Sequence, residues 1–152
     1  SDLGWFSLRD ASIYQYQYRA MFRTQAAQSY LDARDWIQAN IAPDALLLVD
    51  SPLWVDLREA GWESRATGED SYFYWAADRD PAIRTGVFGN DWSTADYIVL
   101  TPGMQSDIRA ANMTLIAEVV DNATPVREFR SQDYWVRIMA VQKNAPASAG
   151  AR

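Results

Sequence analysis

Cysteine and histidine are both absent from this chain of 152 residues. The lack of cysteine excludes a disulfide framework and a thiolate metal site. The lack of histidine removes the commonest general base and the commonest zinc ligand. Any chemistry would therefore rest on carboxylates, tyrosine, serine, threonine or arginine, and the sequence predicts neither a metal site nor a cofactor.

Basic charge is scarce as well. One lysine, Lys143, joins thirteen arginines against twenty acidic residues, and the net charge is −6. Because nucleic-acid backbones attract proteins with clustered lysine and arginine, this balance argues against a nucleic-acid partner. No apolar run reaches the ~20 residues of a membrane-spanning helix, and no signal peptide is visible. The chain opens at Ser1 without methionine, which suits a piece of a longer protein.

Apolar residues, by contrast, make up 49% of the chain and aromatic residues 13%. This is enough for one domain with its own core. We expect an aromatic-rich N-terminal arm over residues 1–23, a single α/β domain over 24–143 and a disordered tail over 144–152. The aromatic residues of the arm either pack on the core or mark a segment that leaves a bilayer, since tryptophan and tyrosine favour the membrane–water interface.

The stretch from Leu46 to Trp62 organises the domain. Four consecutive apolar residues at its start predict a strand that is buried on both faces. The polar residues after that strand predict a helix N-terminus, with Asp50 or Ser51 as the cap and Pro52 in the first turn. Apolar residues then recur at helical spacing: Leu53, Trp54, Leu57 and Ala60. Strand, tight turn and short helix form the opening half of a βαβ unit.

The rest of the chain continues this alternation. We predict a helix over 24–40, with an apolar stripe at Ala27, Tyr30, Leu31, Ala33, Ile37 and Ile41. Further strands are predicted over 72–76, 95–101, 124–130 and 134–142, and further helices over 81–88 and 114–122, while 104–111 is helical or irregular. This order predicts a three-layer α/β fold: a mostly parallel sheet of about five strands, flanked by helices, with an antiparallel hairpin at its C-terminal edge.

Four polar residues are candidates for ligand binding: Asp50, Ser51, Asp78 and Thr101. They would lie at the carboxyl ends of parallel strands, where open α/β sheets bind ligands at the switch point of strand order. The alternative is that they only cap helices and end strands. No glycine-rich fingerprint follows the first strand, which disfavours a phosphate or dinucleotide cradle.

Two weaker patterns add to these candidates. Asp78 and Asp80 could offer oxygens to a hard cation, although the following Pro81 favours helix capping. Four tryptophans could form a platform that stacks on a sugar or could pack in the core: Trp54, Trp62, Trp75 and Trp92. We include Trp54 among the candidate ligand-binding residues.

A further pattern is spread between Thr24 and Gln142. Its residues are Tyr30, Ala33, Trp36, Ile37, Asn40, Pro43, Ala45–Asp50, Leu53–Leu57, Ala60–Trp62, Asp78–Ile83, Asp96–Pro102, Phe129 and Tyr134–Ile138. Together they resemble the region after the last transmembrane helix in bacterial polytopic glycosyltransferases of the GT-C superfamily. The resemblance is to the family 39-like, or protein mannosyltransferase-like, members, especially actinobacterial ones.

The resemblance implies a specific role. Such enzymes transfer a sugar from a polyprenyl-phosphate donor on the outer face of the membrane, and their catalytic acidic residue lies in an early extracytoplasmic loop. No position of this chain matches that residue, so the resemblance assigns no catalytic residue here. The chain would be a C-terminal extracytoplasmic domain of the cell envelope that is not catalytic alone and assists acceptor binding or positioning.

The partners implied are the transmembrane portion of the same polypeptide, the membrane surface and a glycan or protein acceptor. Two other functions remain open from the residues themselves. One is a free-standing α/β enzyme or small-ligand-binding domain that uses Asp50, Asp78 or Asp96. The other is a structural interaction module without a pocket. A deep pocket at the strand ends, holding a carboxyl group of raised pKa, would favour the enzyme.

Overall fold

The computed structural model describes residues 27–59 and 71–143. The N-terminal arm, the C-terminal tail and residues 60–70, with Trp62, lie outside the described residues. The described elements are α1 (Ala27–Asn40), β1 (Leu47–Val49), α2 (Ser51–Glu59), β2 (Ser71–Phe73), α3 (Tyr74–Arg79), α4 (Pro81–Arg84), a 3₁₀ turn (Trp92–Thr94), β3 (Tyr97–Leu100), α5 (Pro102–Ala110), α6 (Thr114–Asp121), β4 (Ala123–Ser131) and β5 (Tyr134–Val141). None of these helices combines the length and the apolar character needed to cross a bilayer.

The five strands form one sheet in the order β2-β1-β3-β5-β4. β1 pairs in parallel with β2 and with β3, whereas β5 pairs antiparallel with both β3 and β4. Only β5 runs against the other four strands, so the predicted mostly parallel sheet with a C-terminal antiparallel hairpin is confirmed. The chain passes from β1 to β2 on one side and then returns to β3 on the other. The switch point of strand order therefore lies between β1 and β3.

Helices cover both faces of the sheet. Side chains of β1 alternate between two cores, with Leu47 and Val49 on one face and Leu48 on the other. α1 and α2 pack on the first face, which we call the α1 face, and α3, α5 and α6 pack on the second, the α6 face. The three-layer architecture follows from this alternation, since each strand residue of β1 is buried by helices on its own side.

Apart from its two outer strands, the sheet has two sides that are formed by the strand ends, and these differ in what they carry. We call the side where β1 to β3 begin the amino edge and the side where they end the carboxyl edge. The carboxyl edge, where β1 to β3 end, carries the start of α2, the start of α5 and the β4–β5 turn, because Leu100 at the end of β3 pairs with Arg137 near the start of β5. α1 leads through residues 41–46 into β1, so the last residue of α1 lies toward the amino edge. The first turn of α1 therefore lies at the carboxyl edge.

Three predictions of local structure are wrong. The helix predicted over 81–88 ends at Arg84, and turns follow it. The aromatic run over 72–76 does not continue as a strand, because β2 ends at Phe73 and α3 begins at Tyr74. The ring of Tyr74 is buried and its hydroxyl donates to the Asp107 carboxylate on α5 at 2.5 Å, which fixes this residue to the helical layer. Leu31 was predicted in the apolar stripe of α1 but is 37% exposed.

Candidate functional site

The polar residues at the switch point form one buried network around Asp50. This residue directly follows β1 and caps α2, since one carboxylate oxygen (Oδ1) accepts the Leu53 amide hydrogen at 3.3 Å. The second oxygen (Oδ2) accepts a hydrogen bond from the Tyr30 hydroxyl of α1. Asp50 is 8% exposed and Tyr30 is 3% exposed, so this bond lies inside the protein.

Tyr134, the first residue of β5, extends the network. Its hydroxyl oxygen lies 2.9 Å from that of Tyr30, and the two rings stack with centroids 5.7 Å apart. Thr101 directly follows β3 and lies beside the network, since hydrogen bonding by its hydroxyl lowers the pKa of both Asp50 and Tyr134. The same Thr101 oxygen accepts the Met104 amide hydrogen at 3.2 Å and so caps α5. Four elements of the fold thus converge on one carboxylate.

Burial dominates the electrostatics of this network. It raises the pKa of Asp50 to about 6, because the ionised carboxylate loses its hydration, while the hydrogen bonds from Tyr30, Leu53 and Thr101 act in the opposite direction. The pKa of Tyr30 is raised well above its usual value by burial and by the neighbouring Asp50 charge. Burial also raises the pKa of Tyr134. Both tyrosines therefore remain neutral donors at physiological pH.

The position of these side chains decides what the site can do. Open α/β sheets hold ligands in the crevice outside the strand ends at the switch point, and here Tyr30 and Tyr134 fill that place with their hydroxyls. The carboxylate of Asp50 has protein donors on both oxygens. The arrangement can store a proton near neutral pH, but both oxygens of its acidic group are already bonded within the protein.

The other candidate ligand-binding residues, Ser51 and Trp54, are not members of the Asp50 network. Ser51 is the first residue of α2 and is half-buried, and the cap of that helix is Asp50. Trp54 packs against the core of the α1 face, whereas Trp75 and Trp92 pack against the core of the α6 face. Trp54 lies on the opposite side of the sheet from Trp75 and Trp92, so it shares no stacking surface with them, and the alternative of core packing describes all three.

Asp78 is buried, with 4% of its surface exposed, but it shares no partner with Asp50. Its carboxylate oxygen Oδ1 accepts the amide hydrogens of Leu115 and Ile116 at 3.0 and 3.3 Å, in the first turn of α6. Arg79 and Arg84 approach the same carboxylate at 3.3 and 3.4 Å. Asp78 therefore holds α3 and α4 against α6, as the capping alternative predicts, although its cap is on a distant helix.

The structure does not support the cation site suggested for Asp78 and Asp80. Asp80 uses its side chain to accept the Ala82 amide hydrogen at 3.0 Å and caps α4, as predicted. Within residues 27–59 and 71–143, no three acidic side chains gather closely enough to hold a metal ion.

An open groove of about 600 Å³ lies at the opposite, amino edge of the sheet. Its lining residues are Ala42, Asp44, Ala45, Asp96, Tyr97, Ala140, Val141, Gln142 and Lys143. Asp96 is anchored there, since it accepts the Leu46 amide hydrogen at 2.9 Å and pairs with Lys143 at 2.5 Å. The groove is lined by both polar and apolar side chains and does not contain the Asp50 network.

Sequence reasoning missed Tyr30 and Tyr134 as members of the network. Both were assigned to the packing of helix and hairpin, and they lie 20 and 84 residues from Asp50 along the chain. A signal did exist for Tyr30, because it is the one residue with a hydroxyl in an otherwise apolar helical stripe. A buried tyrosine hydroxyl requires a hydrogen-bond partner.

Comparisons with known proteins add no relative. No protein-family model, no curated protein and no solved structure matches this chain.

Proposed function

We propose that this chain is the extracytoplasmic accessory domain of a polytopic GT-C glycosyltransferase that uses a polyprenyl-phosphate sugar donor. The domain assists acceptor binding or positioning and has no transferase activity alone. Its fixed partner is the transmembrane portion of the same polypeptide, and its location is the outer face of a bacterial cell membrane. The resemblance of residues 24–142 to that family is the source of this proposal.

The Asp50 network is the observation that supports a non-catalytic role. A catalytic carboxylate must reach substrate, yet both oxygens of Asp50 are bonded to protein donors at the place where an α/β enzyme would hold its ligand. Asp78 is likewise committed to the amides of α6. The acidic groups at the strand ends therefore support the fold, and the chemistry is assigned to residues outside this chain.

The groove at the amino edge suits an acceptor better than the switch point does. It is open, and it presents an exposed carboxylate from Asp44 together with the half-buried Tyr97 and Gln142. Carboxylate, amide and phenol groups can all hydrogen-bond sugar hydroxyls or peptide groups. A solvent-open surface with such polar groups fits a partner that binds and leaves in each catalytic cycle.

One observation favours a second function, a small-ligand or proton-transfer enzyme. The raised pKa of Asp50, about 6, is the value expected of a general base that works near neutral pH. Such an enzyme would need Tyr30 to move so that substrate could reach the carboxylate. Ligand screening by NMR separates the two, since the enzyme predicts shifts at Asp50 and Thr101 and the accessory domain predicts none there.

The gene that encodes this chain tests the main proposal. The accessory domain requires a series of hydrophobic membrane spans in the reading frame before Ser1, with an acidic residue in an early outer loop. A reading frame without such spans would remove the proposal. Protease protection in right-side-out vesicles then checks the side, because an outer-face domain is cleaved from outside while cytoplasmic loops stay protected.

A further inference from the structure

We propose that the outer strand β4 pairs with β4 of a second copy of this chain, so that two sheets join into one across a two-fold axis. The surface consists of residues 127–131, and we call it the β4 pairing segment. The inference goes beyond the proposed function and does not depend on it, because it follows from strand order, register and side-chain complementarity.

The two halves of β4 differ in what they offer to a second strand. Within residues 27–59 and 71–143, β5 is the one strand that pairs with β4. The first half carries two features that keep an outer strand from pairing: Pro125 lacks an N–H group, and the register with β5 shifts between Pro125 and Arg127. The β4 pairing segment has neither feature, since all of its residues pair with β5 in unbroken register.

Backbone groups of the segment point away from the sheet. Gln142, which follows β5, donates its N–H to the carbonyl of Asn122, which precedes β4, at 2.7 Å. Because alternate residues of an antiparallel strand bond to opposite neighbours, the even-numbered residues of β5 bond to β4. Their partners are the odd-numbered residues of the range 127–131. Glu128 and Arg130, both exposed, therefore direct their N–H and C=O groups to the outer side of β4.

The side chains of these two residues complement a second copy. Both lie on the α6 face, because Arg130 is opposite Trp135, which packs against that core. The Glu128 carboxylate accepts from Arg130 at 2.7 Å through one oxygen and from Arg137 at 2.7 Å through the other. Charged residues on an outer strand commonly keep copies apart. Here the two outward residues have opposite signs, so each is complementary to the other one in a second copy.

A two-fold axis beside Phe129 brings these residues together. The pairing is antiparallel, and Glu128 of each copy lies directly opposite Arg130 of the other. Since both residues have outward N–H and C=O groups, each such pair is a hydrogen-bonded pair of the new ladder. An axis beside Glu128 would instead place two carboxylates opposite each other, and an axis beside Arg130 would do the same with two guanidinium groups. Charge therefore selects one register.

Phe129 favours the same register on the other face of the sheet. Its ring is half-buried against the core of the α1 face, and the Arg127 guanidinium lies 4.8 Å from the ring centroid. The axis places Phe129 opposite Phe129 of the second copy in a non-hydrogen-bonded pair, the kind in which side chains lie closer. Aromatic pairs at such positions stabilise sheets, and Arg127 faces the uncharged Ser131.

Sedimentation equilibrium of the 152-residue chain tests the pairing. A contact between two short strand segments is small for a protein interface, so we expect a reversible dimer with a dissociation constant on the order of 100 μM. Arg130→Glu places two carboxylates opposite each other in both charged pairs and should weaken the dimer at least about tenfold. Arg109→Glu on α5 makes the same change in net charge away from β4 and should stay within about twofold of wild type.

A mixture of two variants tests the register. Glu128→Arg places two guanidinium groups opposite each other and should also be monomeric alone. Mixing it with Arg130→Glu restores opposite charges in both pairs, so a mixed dimer should form within about threefold of the wild-type affinity. Circular dichroism checks that each variant folds, and Arg130→Lys, which keeps the charge, should retain the dimer.

A spin label at Gln132→Cys reports the geometry, since the chain has no other cysteine. An antiparallel strand rises about 3.4 Å per residue, so in the proposed register the two copies of position 132 lie roughly 20 Å apart along the strands. Double electron–electron resonance at high protein concentration should show a distance peak of roughly 20–30 Å, and the peak should disappear with Arg130→Glu.

A chain that stays monomeric up to about 1 mM would overturn the inference. Equal losses from Arg130→Glu and Arg109→Glu, or a dimer without the short distance at position 132, would overturn it as well, because another face would then hold the two copies. The proposed function is tested separately. Membrane spans in the reading frame without a dimer keep the accessory role and remove this interface, whereas a dimer without spans does the reverse.

Discussion

The hydroxyl of Tyr30 on α1 donates a hydrogen bond to the carboxylate of Asp50 at the end of β1. This contact joins the first helix to the centre of the sheet at the switch point of strand order. The same contact occupies one of the two carboxylate oxygens of Asp50, the acidic residue that the sequence indicates as a candidate for ligand binding. The stability of the domain should therefore depend on this pair.

Tyr30→Phe removes the donor and leaves a buried carboxylate with one fewer hydrogen bond. We expect a loss of about 1.5–3 kcal/mol in the free energy of unfolding, the usual range for a bond to a charged group. Tyr97→Phe is the matched control, because Tyr97 takes no part in the network, and it should change stability by less than about 0.5 kcal/mol. Urea unfolding of both variants at neutral pH measures the difference. Equal effects would mean that Tyr30 acts through ring packing alone.

The contribution of Asp50 to the stability of the domain should rise as pH falls from 7 toward 4. The pKa of Asp50 is about 6 in the folded protein and about 3.9 when unfolded, so the folded state holds the proton over this range and the unfolded state does not. This group alone contributes up to roughly 3 kcal/mol between the two limits. Asp50→Asn removes the titration, so we expect the stability difference between wild type and variant to shift in favour of wild type at acidic pH. A pH-independent difference would contradict the raised pKa.

Asp78→Ala should destabilise the domain strongly, because it removes the acceptor for two amides of α6 and leaves Arg79 and Arg84 without their buried partner. Breaking a buried charged network of this kind costs about 3–5 kcal/mol. Asp80→Ala removes only the cap of a four-residue helix and should cost about 1 kcal/mol. Thermal and denaturant unfolding compare the two. Wild-type stability of Asp78→Asn and Asp78→Ala would restore Asp78 as a candidate for ligand binding.

Two glycines should respond in opposite directions to alanine. A Cβ at Gly86 would lie 2.3 Å from the carbonyl oxygen of Ala82, so Gly86→Ala forces a backbone shift and should cost about 1–3 kcal/mol. Gly103, in the first turn of α5, has no atom within 4 Å of that position. Gly103→Ala should be neutral or stabilise by up to about 1 kcal/mol, since it lowers the entropy of the unfolded chain. A loss of stability in Gly103→Ala would contradict the open space around the Cβ position of residue 103.

The architecture could be predicted from the sequence because its signals are local. The apolar run before Asp50, the caps at Asp50, Asp80 and Thr101, and the alternation of the hairpin each lie within a few residues. The network at the switch point could not be predicted in the same way. Tyr30, Thr101 and Tyr134 belong to three separate elements, and only the strand order brings them to Asp50.

Tyr74 illustrates the same limit for secondary structure. Its aromatic neighbours favour a strand by local propensity, but the hydrogen bond from its hydroxyl to Asp107, 33 residues later, holds it in a helical layer. Tertiary contact overrides local preference at this position.

A sugar-transfer assay with a polyprenyl-phosphate donor tests the central claim most directly. It compares membranes that contain the full-length protein, membranes in which residues 24–143 are deleted, and the isolated 152-residue chain. The accessory role predicts transfer by the first sample, reduced transfer with a raised acceptor KM in the second, and none by the third. Transfer by the isolated chain would contradict a non-catalytic domain, and absence of transfer by the folded full-length protein would contradict the family assignment.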